Sequence, residues 1–126
     1  MTLANLARRR ALLLAGVLAL PLAAAHAQDA AAGGQSFQQC AECHSTGVSN
    51  GAGPGLKGIV GRKAGSRDGF AYSSELKASG ITWDAKTLDA FLAHPATAVP
   101  GNVMAFPGVD DAKDRADLIA YLASLK

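Results

Sequence analysis

Aromatic side chains are scarce in this sequence, with four Phe, two Tyr and one Trp in 126 residues. A chain so short, with so few large apolar groups and fourteen Gly, permits one domain with a thin core. Cysteine is limited to Cys40 and Cys43, which excludes a framework of several disulfides. The longest apolar run, Ala11 to Leu20, is ten residues; a membrane-spanning helix needs about 20. Basic charge is also missing where a polyanion binder would need it. Three of the twelve Lys and Arg are Arg8, Arg9 and Arg10; residues 28–126 hold nine basic and ten acidic groups, so the formal charge falls from +2 to −1. That balance argues against nucleic-acid binding, and the length argues against a hydrolase of ordinary size.

What is present begins with a leader. Arg8 to Arg10 form a positive n-region, Ala11 to Leu22 an apolar block broken by Pro21, and Ala25-His26-Ala27 a small-x-small cleavage pattern. Residues 1–27 therefore read as a cleavable secretory signal peptide, leaving a domain of residues 28–126 in an exported, oxidising compartment, most simply a bacterial periplasm.

Outside the cell, a pair of cysteines usually forms a disulfide, but here they lie in Cys40-Ala41-Glu42-Cys43-His44. A redox-active dithiol would follow a strand, and no strand-like run precedes Cys40. A structural zinc site needs four ligands; the motif offers three, with only His26 and His94 elsewhere. A plain disulfide leaves His44 without a role. Covalent haem attachment uses all three residues: both thiols form thioethers with the vinyl groups, and the adjacent imidazole reaches the iron. On one helical turn, positions 40, 43 and 44 share a side. A haem also supplies the apolar mass that this composition lacks; without it the polypeptide is expected to be largely disordered.

The patterning of the remainder is helical with irregular loops and no convincing strand. Gln28 to Gly34 reads as a frayed start and Gly34 to Cys40 as helix. Gly47 to Gly69, dense in Gly, reads as a long loop, which calls for a function such as wrapping a cofactor. Tyr72 to Ala78 supports a short helix ended at Gly80. Asp84 caps a helix over Ala85 to Ala93, stopped by His94-Pro95. Residues 95–109 read as loop around Met104 and Phe106. Asp110 or Asp111 opens a last helix to Leu125, with Leu118, Tyr121, Leu122 and Leu125 on its apolar face.

Several separated motifs resemble the class I c-type cytochromes, in the branch of bacterial cytochrome c2 and mitochondrial cytochrome c. They are the pentapeptide at 40–44, Gly53-Pro54-Gly55-Leu56, Gly58-Ile59-Val60-Gly61-Arg62-Lys63, Trp83, Pro100-Gly101-Asn102-Val103-Met104, and Arg115 to Leu122. The resemblance implies an all-α small cytochrome c fold, three to five helices and long loops wrapped around one covalently bound haem. It implies one haem c attached through Cys40 and Cys43, with His44 and Met104 as the iron ligands. Pro54 would accept a hydrogen bond from His44, and Arg62, Tyr72 and Trp83 would hold the inner haem propionate. Gly33 and Phe37 should meet Leu118 and Tyr121 where the first and last helices cross.

The implied function is electron transfer rather than enzymatic catalysis. The expected protein is a soluble periplasmic monomer, with a cytochrome bc1 complex as donor and a terminal oxidase or photosynthetic reaction centre as acceptor. The alternative is a dedicated haem c redox partner of a single periplasmic oxidoreductase. One departure stands out. Relatives of the mitochondrial branch ring the haem edge with lysines, whereas residues 94–100 contain none, and Gln38 and Gln39 precede the motif. Association with a partner is therefore expected to depend less on salt.

Overall fold

The side chain of Asp29 accepts hydrogen bonds from the Ala31 and Ala32 amides and so opens the first helix. In the computed structural model, which describes residues 27–126, the elements are α1 (Ala30–Ser36), α2 (Gln38–Ala41), α3 (Ser74–Ala78), α4 (Ala85–Ala93), α5 (Pro95–Ala98) and α6 (Ala112–Ser124). The signal peptide expected at 1–27 lies outside the described residues apart from Ala27.

The architecture is all-α, as the patterning implies; among the described residues the extended pairing is one isolated bridge, Lys63 with Thr82. Six segments replace the three to five expected. Two short ones account for the difference. Phe37 continues α1 into α2 with helical dihedrals, φ −64° and ψ −19°. Pro95 restarts the chain as α5 immediately after it stops α4, because a fixed φ and a missing N–H suit a first helical position. Residues 95–109 are thus not entirely loop. The supposedly frayed start is helix from Ala30, since Asp29 supplies an N-cap that the Ala-rich composition concealed. The third helix begins at Ser74, two residues later than expected, because the Ser73 hydroxyl caps it. Asp84 and Thr87 form a reciprocal capping box on α4, and Asp111 caps α6 through the Lys113 and Asp114 amides.

The framework is the crossing of α1 on α6. A Cβ at Gly33 would lie 1.9 Å from the Asp117 carbonyl oxygen, so only glycine lets these backbones meet. Phe37 and Tyr121 pack alongside with ring centroids 5.2 Å apart. Asp117 is buried at this crossing, 2% exposed. Its carboxylate accepts from the Asp29 amide at 2.8 Å and from Lys113 Nζ at 2.6 Å, which meets the demand of a buried charge. Beyond the crossing, α6 turns Leu118, Ile119 and Leu122 into the core, while Tyr121 and Leu125 are half-buried. α4 packs on α6 and contributes Leu88, Phe91 and Leu92.

Candidate functional site

The long glycine-rich segment is fastened to the rest of the chain at several points. The Gly61 amide donates to the Trp83 carbonyl at 2.7 Å, Trp83 N–H to the Arg62 carbonyl at 2.9 Å, and Ala64 N–H to the Ile81 carbonyl at 2.8 Å. This loop, the α1–α2 corner, α4 and the segment around Met104 enclose an apolar cavity of about 360 Å³. All eight residues singled out in the sequence line it: Cys40, Cys43 and His44 from the pentapeptide, Pro54, Arg62, Tyr72 and Trp83 from the middle, and Met104 from the late segment. Residues 64 positions apart in the chain are brought to one space.

The donor set at one wall suits a haem. The thiols of Cys40 and Cys43 are free, one half-buried and one exposed. Burial first, and then the neighbouring Cys43, push the Cys40 thiol above its ordinary value. A redox dithiol works through a thiol pushed the other way. No group of three His, Cys, Asp or Glu able to hold a bare metal ion occurs among the described residues. His44 Nδ1 lies 2.8 Å from the Pro54 carbonyl oxygen. A carbonyl can only accept, so Nδ1 carries the proton and Nε2 keeps its lone pair. Gly53 makes room for the ring, because a Cβ there would sit 2.5 Å from His44 Cε1. The cavity volume falls within the range of about 300–1,000 Å³ usual for cofactor pockets.

The second polar feature is cationic. Arg62 donates to the Gly55 and Lys57 carbonyls, both at 3.1 Å. Arg67 donates to the same two oxygens, at 3.1 Å from Nε and 2.6 Å from Nη2, and its own amide donates to the Tyr72 hydroxyl at 3.3 Å. Burial, and then repulsion from Arg67, hold the Arg62 guanidinium below its ordinary value, with Tyr72 acting the other way. The ion pairs of the described residues lie elsewhere, at Lys113–Asp117 and Arg115–Asp89. With the Arg62 guanidinium at the cavity wall and Arg67 sharing its two carbonyl acceptors, the site suits a ligand that brings its own carboxylate. Arg67 was not among the residues picked from the sequence. The available signal was its place in Gly65-Ser66-Arg67-Asp68-Gly69, five residues after Arg62, where the adjacent Asp68 suggests a local ion pair instead.

Trp83 is 6% exposed and meets Phe91 edge-on at 5.0 Å, forming the cavity floor. The model for the family described as "Cytochrome c" matches residues 30–126. The chain belongs to the cytochrome c family. It is 49% identical over 100 residues to a cytochrome c2 of Rhodomicrobium vannielii, covering 78% of this chain and 80% of that one. To a cytochrome c of Tetrahymena pyriformis it is 52% identical over 98 residues, covering 77% and 89%. Among solved structures, cytochrome cH from Methylobacterium extorquens superimposes with a TM-score of 0.74 at 52% identity, over 76% of this chain and 98% of the other. The cytochrome c fold and a covalent haem c at the paired cysteines are thereby established, and with them one-electron transfer.

The exposed residues on the cavity rim are Gln39, Cys43, Ala52, Lys63, Val103 and Ala105, so a single charge borders the opening. This cytochrome presents a nearly neutral mouth. No helix of the described residues is long and apolar enough to cross a membrane.

Proposed function

We propose that residues 28–126 form a soluble periplasmic electron shuttle, released from a leader cleaved after Ala27, in which His44 and Met104 ligate the haem iron. Held by these two side chains, the iron would have no open site for substrate, and the chemistry the haem would supply is exchange of one electron with little rearrangement. The observation that carries this reading is the His44–Pro54 hydrogen bond at 2.8 Å, with Met104 lining the same cavity. Through that bond Pro54 fixes the ring orientation and raises the basicity of Nε2. Met104 supplies a soft thioether, which favours the reduced iron and a positive potential. Arg62, Tyr72 and Trp83 would hold the inner propionate, and Phe37, Leu118 and Leu122, which line the same cavity, would keep water from that wall.

The donor is a cytochrome bc1 complex, and the acceptor a terminal oxidase or a photosynthetic reaction centre. A monomeric shuttle agrees with the surface: the large apolar side chains exposed among the described residues are Val48, Val60 and Val103, single valines rather than aromatic anchors. The test is reconstitution. Washed membranes from the source cells, stripped of periplasmic proteins, should regain quinol-driven electron flow when purified holoprotein beginning at Gln28 is added back. Co-purification with one oxidoreductase, and no recovery of flow, would instead identify a dedicated redox partner.

A further inference from the structure

The segment that carries Met104 has few attachments. Residues 100–108 contain no helix, and Val103 points outward with 74% exposure. Among the hydrogen bonds of the described residues, every one that ties this stretch to the rest of the chain runs through Asn102. Its backbone amide donates to the Val99 carbonyl at 3.0 Å. Its side-chain Nδ2 donates to the Pro95 carbonyl at 2.7 Å and to the Val99 carbonyl at 2.9 Å, the two ends of the turn formed by α5. Its Oδ1 accepts from the Met104 amide at 3.0 Å. The anchor points are themselves fixed: Pro95 is fully buried and Val99 is 4% exposed.

We infer that Asn102 is the positioning residue for the axial methionine: its carboxamide clamps the Met104 backbone to the buried α5 turn. An amide suits the task because one planar group offers two donors and an acceptor together. Asp lacks the donors, Ala lacks both functions, and Ser reaches only a local bond to the residue two positions on. Removing the clamp leaves Met104 free to withdraw, since the flanking Val103 and Ala105 are exposed and oppose nothing. Apolar packing of Phe106 against the core remains and sets how far the segment can swing.

The inference rests on Met104 ligation, and the test separates the two. The probe is imidazole added to the ferric holoprotein, which can bind only when the thioether leaves; the readout is loss of the far-red thioether-to-iron absorption band. Asn102→Ala should tighten imidazole binding by about tenfold or more, the worth of the lost hydrogen bonds. Asn102→Ser should fall between Asn102→Ala and the parent. Asp111→Ala, which loses the α6 cap and none of the hydrogen bonds of Asn102, should lower the melting temperature and leave imidazole affinity unchanged. Equal affinity for Asn102→Ala and the parent would overturn the clamp while leaving Met104 a ligand. So would an Asp111→Ala affinity raised as far as that of Asn102→Ala, since affinity would then follow overall stability. Absence of the thioether band in the parent would overturn the ligation itself.

Discussion

The α1–α6 crossing and the cavity wall are built on opposite plans. At the crossing every demand is met from within the chain: Gly33 admits the Asp117 backbone, Asp117 has two donors, and Phe37 packs on Tyr121. At the cavity, the chain leaves two thiols free, an imidazole nitrogen unshared and the Arg62 guanidinium without a carboxylate partner among the described residues. The first region is complete; the second is shaped for a group it does not contain in its sequence. A small domain with a thin core can therefore be rigid on one side and conditional on the other.

The largest effect follows from removing the conditional part. A Cys40→Ala/Cys43→Ala double variant, unable to attach haem, should lose most of its helical circular dichroism; a native spectrum would show that the crossing alone sustains the fold. Gly33→Ala attacks the complete part. With backbone on the receiving side the helices must separate, at a cost of about 3 kcal/mol in denaturant unfolding of the holoprotein. Replacement without loss would mean that the close approach is dispensable.

Asp117 sharpens the same contrast through pH. Its carboxyl is held below the ordinary carboxylate range, first by the hydrogen bond from Lys113 and then by that from the Asp29 amide. The unfolded chain therefore takes up a proton more readily than the native one. The stabilisation is full above the ordinary range and is lost as pH falls through that range to the lower native value. Asp117→Asn should be less stable than the parent near neutrality and converge with it in acid, as melting curves across pH would record. Parallel curves would contradict this.

On the cavity side, Arg67→Ala removes two carbonyl hydrogen bonds and should cost about 1–2 kcal/mol, measured by the same unfolding. The smallest effect concerns the rim. With Lys63 its one charged exposed residue, association with the purified partner should change little across an ionic-strength series. A steep fall with salt would place the docking surface elsewhere.

The same division governs what the sequence makes legible. The crossing of Gly33 and Phe37 with Leu118 and Tyr121 could be anticipated from the family resemblance, while helical spacing by itself put only Leu118 and Tyr121 on one apolar face. Asp84, and the pair Asp110 and Asp111 of which the structure selects the second, announced their helices, since an N-cap is a local feature. The site was legible in its chemistry, because Cys40, Cys43 and His44 have no economical reading without a haem. Asp29 was missed because the five small residues after it suggested fraying, and its partner Asp117 lies 88 residues away. Arg67 and Asn102 were passed over for a related reason. Their importance lies in backbone carbonyls they reach across a loop, and no periodicity encodes such a contact.

The most direct measurement is a redox titration of the periplasmically expressed holoprotein with its visible spectrum recorded in both states. His44/Met104 ligation in this cavity predicts one reversible one-electron transition at clearly positive potential, low-spin on both sides. A high-spin spectrum, or a strongly negative couple, would contradict it: Met104 would then be off the iron in at least one state.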